Sequence, residues 1–194
     1  MERDVELQIV SRLRQGDPSA FDAVYDAFHN RLYNFLARLS GSRDVAEDLL
    51  EETWLRLVTH ADRLDPETRL RAWLFTVARH LHTSYRRSRR VEELHTADLP
   101  TLWPAPTPRT PLEAAETSEA QRRLAAALAS LPVHYREVLL LVGVEGLRPS
   151  EAAEVCDIRA DALRQRLSRA RALLAERLAQ SEAAVLLSLK EVRS

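Results

Sequence analysis

The sequence predicts an all-α protein of two small helical domains joined by a proline-rich linker. Apolar residues recur at steps of three and four along most of the 194-residue chain, and only four glycines occur. Five of the nine prolines fall between Thr96 and Pro111. Proline fixes φ and removes a backbone donor, so this stretch favours an extended linker. We therefore expect domains at 1–93 and 112–180, a linker at 94–111 and a tail at 181–194.

Charge is strongly segregated in a chain whose net charge is only −1. Arginines concentrate in two helical segments, Arg69–Arg90 and Arg159–Arg177, on either side of the predicted linker. Such a chain has two local anion-binding faces and compensating acidic faces elsewhere. Nucleic acid is the first candidate partner.

Several classes of function find no support. No apolar run approaches the length of a membrane span. The first residues are acidic, whereas a signal peptide has a basic start followed by an apolar core. These two observations predict a cytoplasmic protein without membrane contact of its own. Cys156 is the only cysteine. His80 and His82 point about 200° apart on a helix and cannot chelate one metal. With no phosphate loop, GxSxG or HExxH motif, we expect no enzyme, cofactor or metal site.

The first half predicts three helices. Asp17-Pro18 begins one that ends at Ser40-Gly41-Ser42. The second should bury Val45, Leu49, Leu50, Thr53, Trp54, Leu57 and Val58 and carry acids at Asp44, Glu47, Asp48, Glu51 and Glu52. The third, after Asp65-Pro66, should bury Trp73, Leu74, Val77, Leu81 and Tyr85. Its outward half should hold Arg79, His82, Thr83, Arg86 and Arg90, with His80 and Arg87 beside them.

The second half predicts a helix-turn-helix. Two helices come first, one at about 112–129 and one through Tyr135 and Val142. The motif itself consists of the helices Pro149–Val155 and Asp161–Leu178, which Cys156–Ala160 joins as the turn. Core positions on the last helix are Leu163, Leu167, Ala170 and Leu174. Its outward residues are Asp161, Gln165, Ser168, Arg169 and Ala172, with Arg164 and Arg171 on one shoulder. Arginine and glutamine bond guanine and adenine bidentately in the major groove, although a basic face can also be merely solvated.

Four blocks give the chain a family resemblance: DVAEDLLEETWLRL at 44–57, RAWLFTVARH at 71–80, LPVHYREVLLL at 131–141 and RQRLSRAR at 164–171. In this order they resemble the extracytoplasmic-function (ECF) group of the bacterial sigma-70 factors. The resemblance implies a region-2 domain that binds the polymerase clamp and melts the promoter −10 element, and a region-4 domain that reads the −35 element. It implies as partners core RNA polymerase (clamp and flap), promoter DNA and an anti-sigma factor.

The resemblance also assigns roles to individual residues, as expectations. The core-polymerase-binding set is Asp48, Glu51, Glu52, Thr53 and Trp54. The −10 set is Arg69, Arg71, Arg79, His80, Thr83, Ser84, Arg86 and Arg87, and the loop Leu64–Leu70 matches one that pockets a flipped base. The −35 set is Arg164, Gln165, Ser168, Arg169 and Arg171.

Each of these roles has an alternative in which the residue serves only the fold or the solvated surface. The acids of the second helix could be a solvated edge with Trp54 partly in the core, and Trp73 fits the core better than a stacking platform. Arg148 stands where relatives have a capping serine, and Asp161-Ala162 where they have glycine-threonine; Asp161 could itself cap the last helix. A one-component regulator, with an N-terminal sensing domain and a helix-turn-helix, is the rival function. It leaves the second helix's acids unexplained.

The linker yields a test by limited proteolysis. Because it is predicted to be extended, without an apolar stripe, the first cut in the intact protein should fall between Thr96 and Pro111. Mass spectrometry of the earliest fragments would locate that cut. A primary cut inside either helical half would contradict the boundary.

Overall fold

A computed structural model describes residues 3–95 and 118–191, which form eight α-helices. The N-terminal unit (3–95) contains α1 (Arg3–Arg14), α2 (Pro18–Ser40), α3 (Arg43–His60), a 3₁₀ turn (Ala61–Arg63) and α4 (Leu70–His95). The C-terminal unit (118–191) contains α5 (Glu119–Ser130), α6 (Val133–Leu139), a π turn (Leu140–Val144), α7 (Pro149–Cys156) and α8 (Ala160–Glu191). Within these ranges no helix is long and apolar enough to cross a membrane. Residues 94 and 95 of the predicted linker belong to α4, while its remainder, the predicted helix start at 112–117 and residues 1–2 and 192–194 lie outside the described ranges.

The predicted bounds of α2 are confirmed and have local causes. Asp17 accepts a hydrogen bond from the Ser19 amide at 2.9 Å, and Pro18 opens the first turn. Hydrogen bonds from Ser19 and then from Arg12 lower the pKa of Asp17 to about 2. At the other end Gly41 adopts a left-handed φ of 75° and its N–H bonds the Ala37 carbonyl. Ser42 then caps α3.

Most of the predicted inner face of α3 is buried, including Leu49, Leu50, Thr53, Trp54 and Leu57. The prediction for Val58 was wrong, since 58% of this residue is exposed. The buried face of α3 is narrower than the helical spacing suggested: α2 and α4 pack on α3, and they leave Val58 uncovered.

The sequence analysis predicted one buried face for α4, but the structure buries two. Leu74 is fully buried as predicted, but Phe75, Ala78 and His82 are buried too, on a second face. The prediction that His82 points outward was therefore wrong. The reason is that α4 packs against α2 and α3 of its own unit and also against α7 of the C-terminal unit. A helical wheel for one isolated domain contains no information about that second neighbour.

The C-terminal unit has the predicted helix-turn-helix. Ser118 and Gln121 form a capping box that begins α5. Asp157 takes a left-handed φ of 52° after α7, and the turn ends where α8 begins at Ala160. Leu163, Leu167 and Ala170 are buried as predicted, while Leu174 is half-buried. The backbone of α8 continues without a break to Glu191, so the tail from Ser181 extends this helix rather than forming a separate short one.

The two units pack against each other. Their buried apolar residues form one continuous cluster, which runs from Val10 on α1 to Ala170 on α8. The main contact joins α4 to α7, and a smaller one joins α2 to α6. The surfaces of α4 and α7 therefore have to be considered together.

His82 makes fold stability sensitive to pH. Burial first, then the positive charges of Arg86, Arg136 and Arg79, lower its pKa to about 4 from the ordinary 6.5. Between pH 4 and pH 6.5 the unfolded chain therefore carries a proton on His82 that the folded protein does not bind. The contribution of His82 to the free energy of unfolding is complete above pH 6.5 and is lost as the pH falls towards 4. We expect unfolding in urea to require about 2 kcal/mol less at pH 5 than at pH 7.5. His82→Gln should lose most of this dependence, whereas the exposed-site control His80→Gln should keep it. Equal pH slopes in both variants would contradict the assignment.

Candidate nucleic-acid and partner interfaces

The exposed face of α8 carries the predicted −35 set. Arg164, Gln165, Ser168, Arg169 and Arg171 are all exposed, while Leu163, Leu167 and Ala170 anchor the opposite face. The turn before α8 is fixed by the Ile158 amide, which donates to the Ala153 carbonyl at 3.1 Å. A rigid helix with its polar face outward has the geometry for a DNA groove.

The two departures from the family pattern have local explanations. Arg148 offers no hydroxyl cap to α7, but its backbone N–H donates to Glu151 Oε2 at 2.9 Å and its guanidinium to Glu151 Oε1 at 2.8 Å. This is half of a capping box. Asp161 lies within the first turn of α8 instead of at its cap, and it pairs with Arg164 at 2.5 Å. The Asp161 carboxylate thus sits beside a −35 candidate and partly neutralises it.

The predicted −10 set divides into two groups. Five residues are exposed along α4: His80, Thr83, Ser84, Arg86 and Arg87. The other three are arginines, two at the start of the helix and Arg79 between its second and third turns, and each is paired with a glutamate of the C-terminal unit. Arg79 Nε lies 2.6 Å from Glu137 Oε1, Arg71 NH2 3.3 Å from Glu151 Oε2, and Arg69 NH1 3.8 Å from Glu154 Oε1. Sequence reasoning had no signal for these pairs.

A cavity of about 350 Å³ lies at the loop predicted to hold a flipped base. It is an open surface depression lined by Thr68, Arg69, Trp73 and Thr76, together with Glu154 of the C-terminal unit. Trp73 is half-buried: it packs against the core, as the sequence favoured, and it also lines the cavity.

Helix α1, which the sequence analysis did not predict, holds this loop in place. Arg3 donates to the Glu67 carbonyl at 2.7 Å and Glu6 accepts from the Arg71 amide at 3.4 Å. The helical spacing of Val5, Ile9, Val10 and Leu13 is the sequence feature that indicates this helix.

The predicted core-polymerase-binding set is also divided. Asp48 and Glu51 are exposed, and Glu52 pairs with Arg56 at 2.9 Å. Thr53 is fully buried and donates to the Leu49 carbonyl. Trp54 is 7% exposed and lies in an aromatic cluster with Phe21, Tyr25 and His29.

Two exposed apolar residues on α3 were missed as surface candidates. Leu55 is 56% exposed and Val58 58%. Together with Asp48 and Glu51 they follow steps of three, four and three, which places all four on one side of the helix. We call this set the α3 stripe. An acidic and apolar stripe on an exposed helix is suited to a protein partner with a basic, partly apolar surface.

Comparison with known proteins identifies the family. Residues 24–91 match the model for sigma-70 region 2, and residues 121–174 match that for sigma-70 region 4. The ECF RNA polymerase sigma factor EcfG of Rhodopseudomonas palustris is 39% identical over 142 residues, which are 72% of this chain and 75% of that protein. SigM of Bacillus subtilis, another ECF sigma factor, is 31% identical over 150 residues, covering 77% and 90%. The chain belongs to the ECF group of the sigma-70 family.

A solved structure supports the same assignment for the fold. The sigma factor RpoE from Bartonella quintana, crystallised with the anti-sigma factor NepR, aligns with a TM-score of 0.71 at 28% identity, covering 81% of this chain and 96% of that one. Region 2 of the present sigma factor corresponds to α2–α4, and region 4 to α5–α7 and the first half of α8. Because the N-terminal half matches region 2, the rival regulator with a sensing domain is set aside.

Cys156 is buried, and His80 and His82 lie on different sides of α4. Burial raises the pKa of the Cys156 thiol to about 12, so the thiol is unreactive. His80 is exposed and His82 buried, on opposite faces of α4 as their spacing predicted. Within residues 3–95 and 118–191, no group of histidine, cysteine and carboxylate side chains could hold a metal ion.

Proposed function

We propose that this sigma factor docks on core RNA polymerase through the α3 stripe and directs initiation at promoters read by α4 and α8. The observation that carries the proposal is the coexistence, in one chain matching regions 2 and 4, of a stripe suited to protein docking and two separate arginine-rich helices. It would act in the cytoplasm, with no reaction of its own. In vitro transcription of genomic DNA with added core enzyme tests it, since mapped starts would reveal both promoter elements.

The docking role rests on burial and charge. Asp48 and Glu51 supply exposed negative charge, and Leu55 and Val58 supply apolar area that water would otherwise cover. Trp54 lies on the buried side of α3, where its ring packs against Phe21 and Tyr25 of α2. Its contribution to docking is therefore to position the stripe.

The −10 role rests on the solvent-exposed part of α4 and the cavity at its start. Arg86 and Arg87 can reach phosphates, while Thr83, Ser84 and His80 offer hydrogen-bonding groups to bases. A flipped base needs a shaped recess with cations nearby, and the cavity beside Trp73 and Arg69 has both features.

We further propose that an anti-sigma factor covers part of this surface. The Bartonella relative was solved with such a partner. Leu55 and Val58 are large exposed apolar side chains, and a partner that buries them would compete with polymerase for the α3 stripe.

The α3 stripe can be tested by triple substitution. Asp48→Ala, Glu51→Ala and Leu55→Ala together should weaken binding to core polymerase about 100-fold, a combined loss of about 2.7 kcal/mol that one or two central interface residues can supply. Fluorescence anisotropy of labelled sigma factor titrated with core enzyme measures this. All three residues are exposed, so circular dichroism should remain unchanged.

The matched control removes two acids and one exposed leucine from the other unit: Glu119→Ala, Glu176→Ala and Leu124→Ala. This control should bind core enzyme like the wild type. If the α3 variant also binds normally, the docking assignment is wrong.

A promoter library separates base reading from simple attraction on α8. Gln165→Ala or Arg169→Ala should cost ~1–3 kcal/mol and relax the preference at one −35 base pair, because a bidentate base contact is lost. Arg171→Ala, our choice of phosphate contact, should weaken all promoters alike and reduce the log–log salt slope by about one. Sequencing of transcripts made by each holoenzyme measures both effects. A uniform loss in all three variants would make α8 an electrostatic anchor without base specificity.

A further inference from the structure

The loop between the 3₁₀ turn and α4 owes its shape to a turn within it. The Asp65 carboxylate accepts from the Glu67 amide at 2.7 Å. The Asp65 carbonyl accepts from the Thr68 amide at 2.9 Å, which closes the turn over Pro66. Because these bonds are internal to the loop, they set its conformation without setting its position on the domain.

Arg3 at the start of α1 connects this turn to the rest of the domain. Its NH2 group donates to the Glu67 carbonyl at 2.7 Å and to Glu67 Oε2 at 3.1 Å, and its NH1 group donates to the Thr68 carbonyl at 3.4 Å. A guanidinium suits this task because its planar fork holds several acceptors in fixed directions at once. Two consecutive carbonyls of the loop are therefore tied to one side chain of α1.

Glu6, one turn further along α1, completes the attachment. Its Oε2 accepts from Arg3 NH1 at 3.0 Å, and its Oε1 accepts from the Arg71 amide at 3.4 Å. The first amides of a helix have no partner within it, so Glu6 acts on α4 as a cap that comes from another helix. The Glu6 side chain is only 12% exposed. We call Arg3 and Glu6 the α1 clamp.

The clamp belongs to a helix that is itself anchored. Arg3, Glu6, Val10 and Leu13 follow steps of three, four and three, which places them on one side of α1. Val10 and Leu13 are buried in the core, and α1 packs on α2 and on the 3₁₀ turn. This helix precedes residues 24–91, which match region 2, so the family match by itself gives α1 no role.

The residues that the clamp holds are also residues of the cavity proposed for a flipped base. Glu67 and Thr68 line this cavity together with Arg69 and Trp73. Arg3 bonds the carbonyls of Glu67 and Thr68 and one carboxylate oxygen of Glu67, so the direction in which both residues face the cavity depends on Arg3. Selective binding needs groups held to within about 0.5 Å, which a surface loop achieves through supporting contacts of this kind.

We propose that Arg3 is a positioning residue for the reading of the flipped −10 base: with Glu6 it holds the backbone of Glu67 and Thr68 and so sets the shape of the cavity that receives the base. The inference rests on the proposed −10 role of this cavity. Because Arg3 acts through the loop, its loss alters selectivity at one promoter position. Loss of a phosphate contact would instead weaken every promoter alike.

Base-analogue fluorescence and a promoter library test this inference with holoenzyme made from the full-length protein and core polymerase. The fluorescent analogue aminopurine, placed at each −10 position in turn, brightens when it leaves the base stack, so the wild type identifies the flipped position. A library randomised over both promoter elements then gives the ratio of transcripts between the preferred base and the others at every position. In Arg3→Gln, and separately in Glu6→Ala, this ratio should fall at least about threefold at the flipped position and stay unchanged in the −35 element.

Two further variants are controls. Arg12→Gln removes another exposed arginine of α1, whose ion pair with Asp17 at 2.8 Å lies outside the loop, and it should leave all ratios unchanged. Arg3→Lys keeps the positive charge but lacks the fork that bonds two carbonyls, so it should also relax the flipped position. Circular dichroism and the affinity for core enzyme should match the wild type in all four variants.

The outcomes separate this inference from the proposed function. Wild-type ratios in Arg3→Gln, or an equal loss on all promoters, would overturn the positioning role of Arg3. Wild-type ratios in Arg3→Lys would overturn it too, since charge alone would then suffice, as would a similar fall in Arg12→Gln. If no −10 position brightens with the wild-type holoenzyme, the proposed −10 role of the cavity is itself wrong.

Discussion

Arg136 is the side chain on which the relation between the two regions depends. It is 3% exposed, and its guanidinium donates to five backbone carbonyls. Two of them, Arg38 and Leu39, close the C-terminal end of α2, and three, Leu128, Ala129 and Leu131, close the end of α5. The last carbonyls of a helix have no partner within it and carry the negative end of its dipole. One cation thus caps a helix of each unit and fixes α2 relative to α5.

Around this fixed point the contact between the units is rich in charge. Burial, and then the nearby Arg86, lower the pKa of Arg136, and burial raises the pKa of Glu145 against the opposing effect of Arg31. Both directions reflect the penalty for removing charge from water. The ion pairs of this interface give orientation more than binding strength, because their attraction is largely offset by desolvation, and the continuous apolar cluster supplies the burial.

Sequence alone predicted the local structure well and the contact between units poorly. Asp17-Pro18 and Ser40-Gly41 determine the ends of α2 by capping, which involves neighbours in the chain, and the stripe of Leu163, Leu167 and Ala170 follows from helical periodicity. By contrast, burial of His82 and the glutamate partners of Arg71 and Arg79 depend on residues far away in sequence. No pattern within one helix encodes such a partner. Val58 shows the converse error, an apolar residue at core spacing that the packing leaves exposed.

The contrast between a net charge of −1 and two arginine-rich helices also has a spatial explanation. The acids form two sets with different surroundings. Asp48 and Glu51 on α3 face solvent, where charge steers a protein partner at small cost. Glu137, Glu145 and Glu151 are buried against arginines of region 2, so each of these charges is neutralised locally by a guanidinium. The small net charge therefore describes neither surface: arginines of region 2 are neutralised locally by carboxylates of region 4, while the α3 stripe keeps its negative charge in solvent.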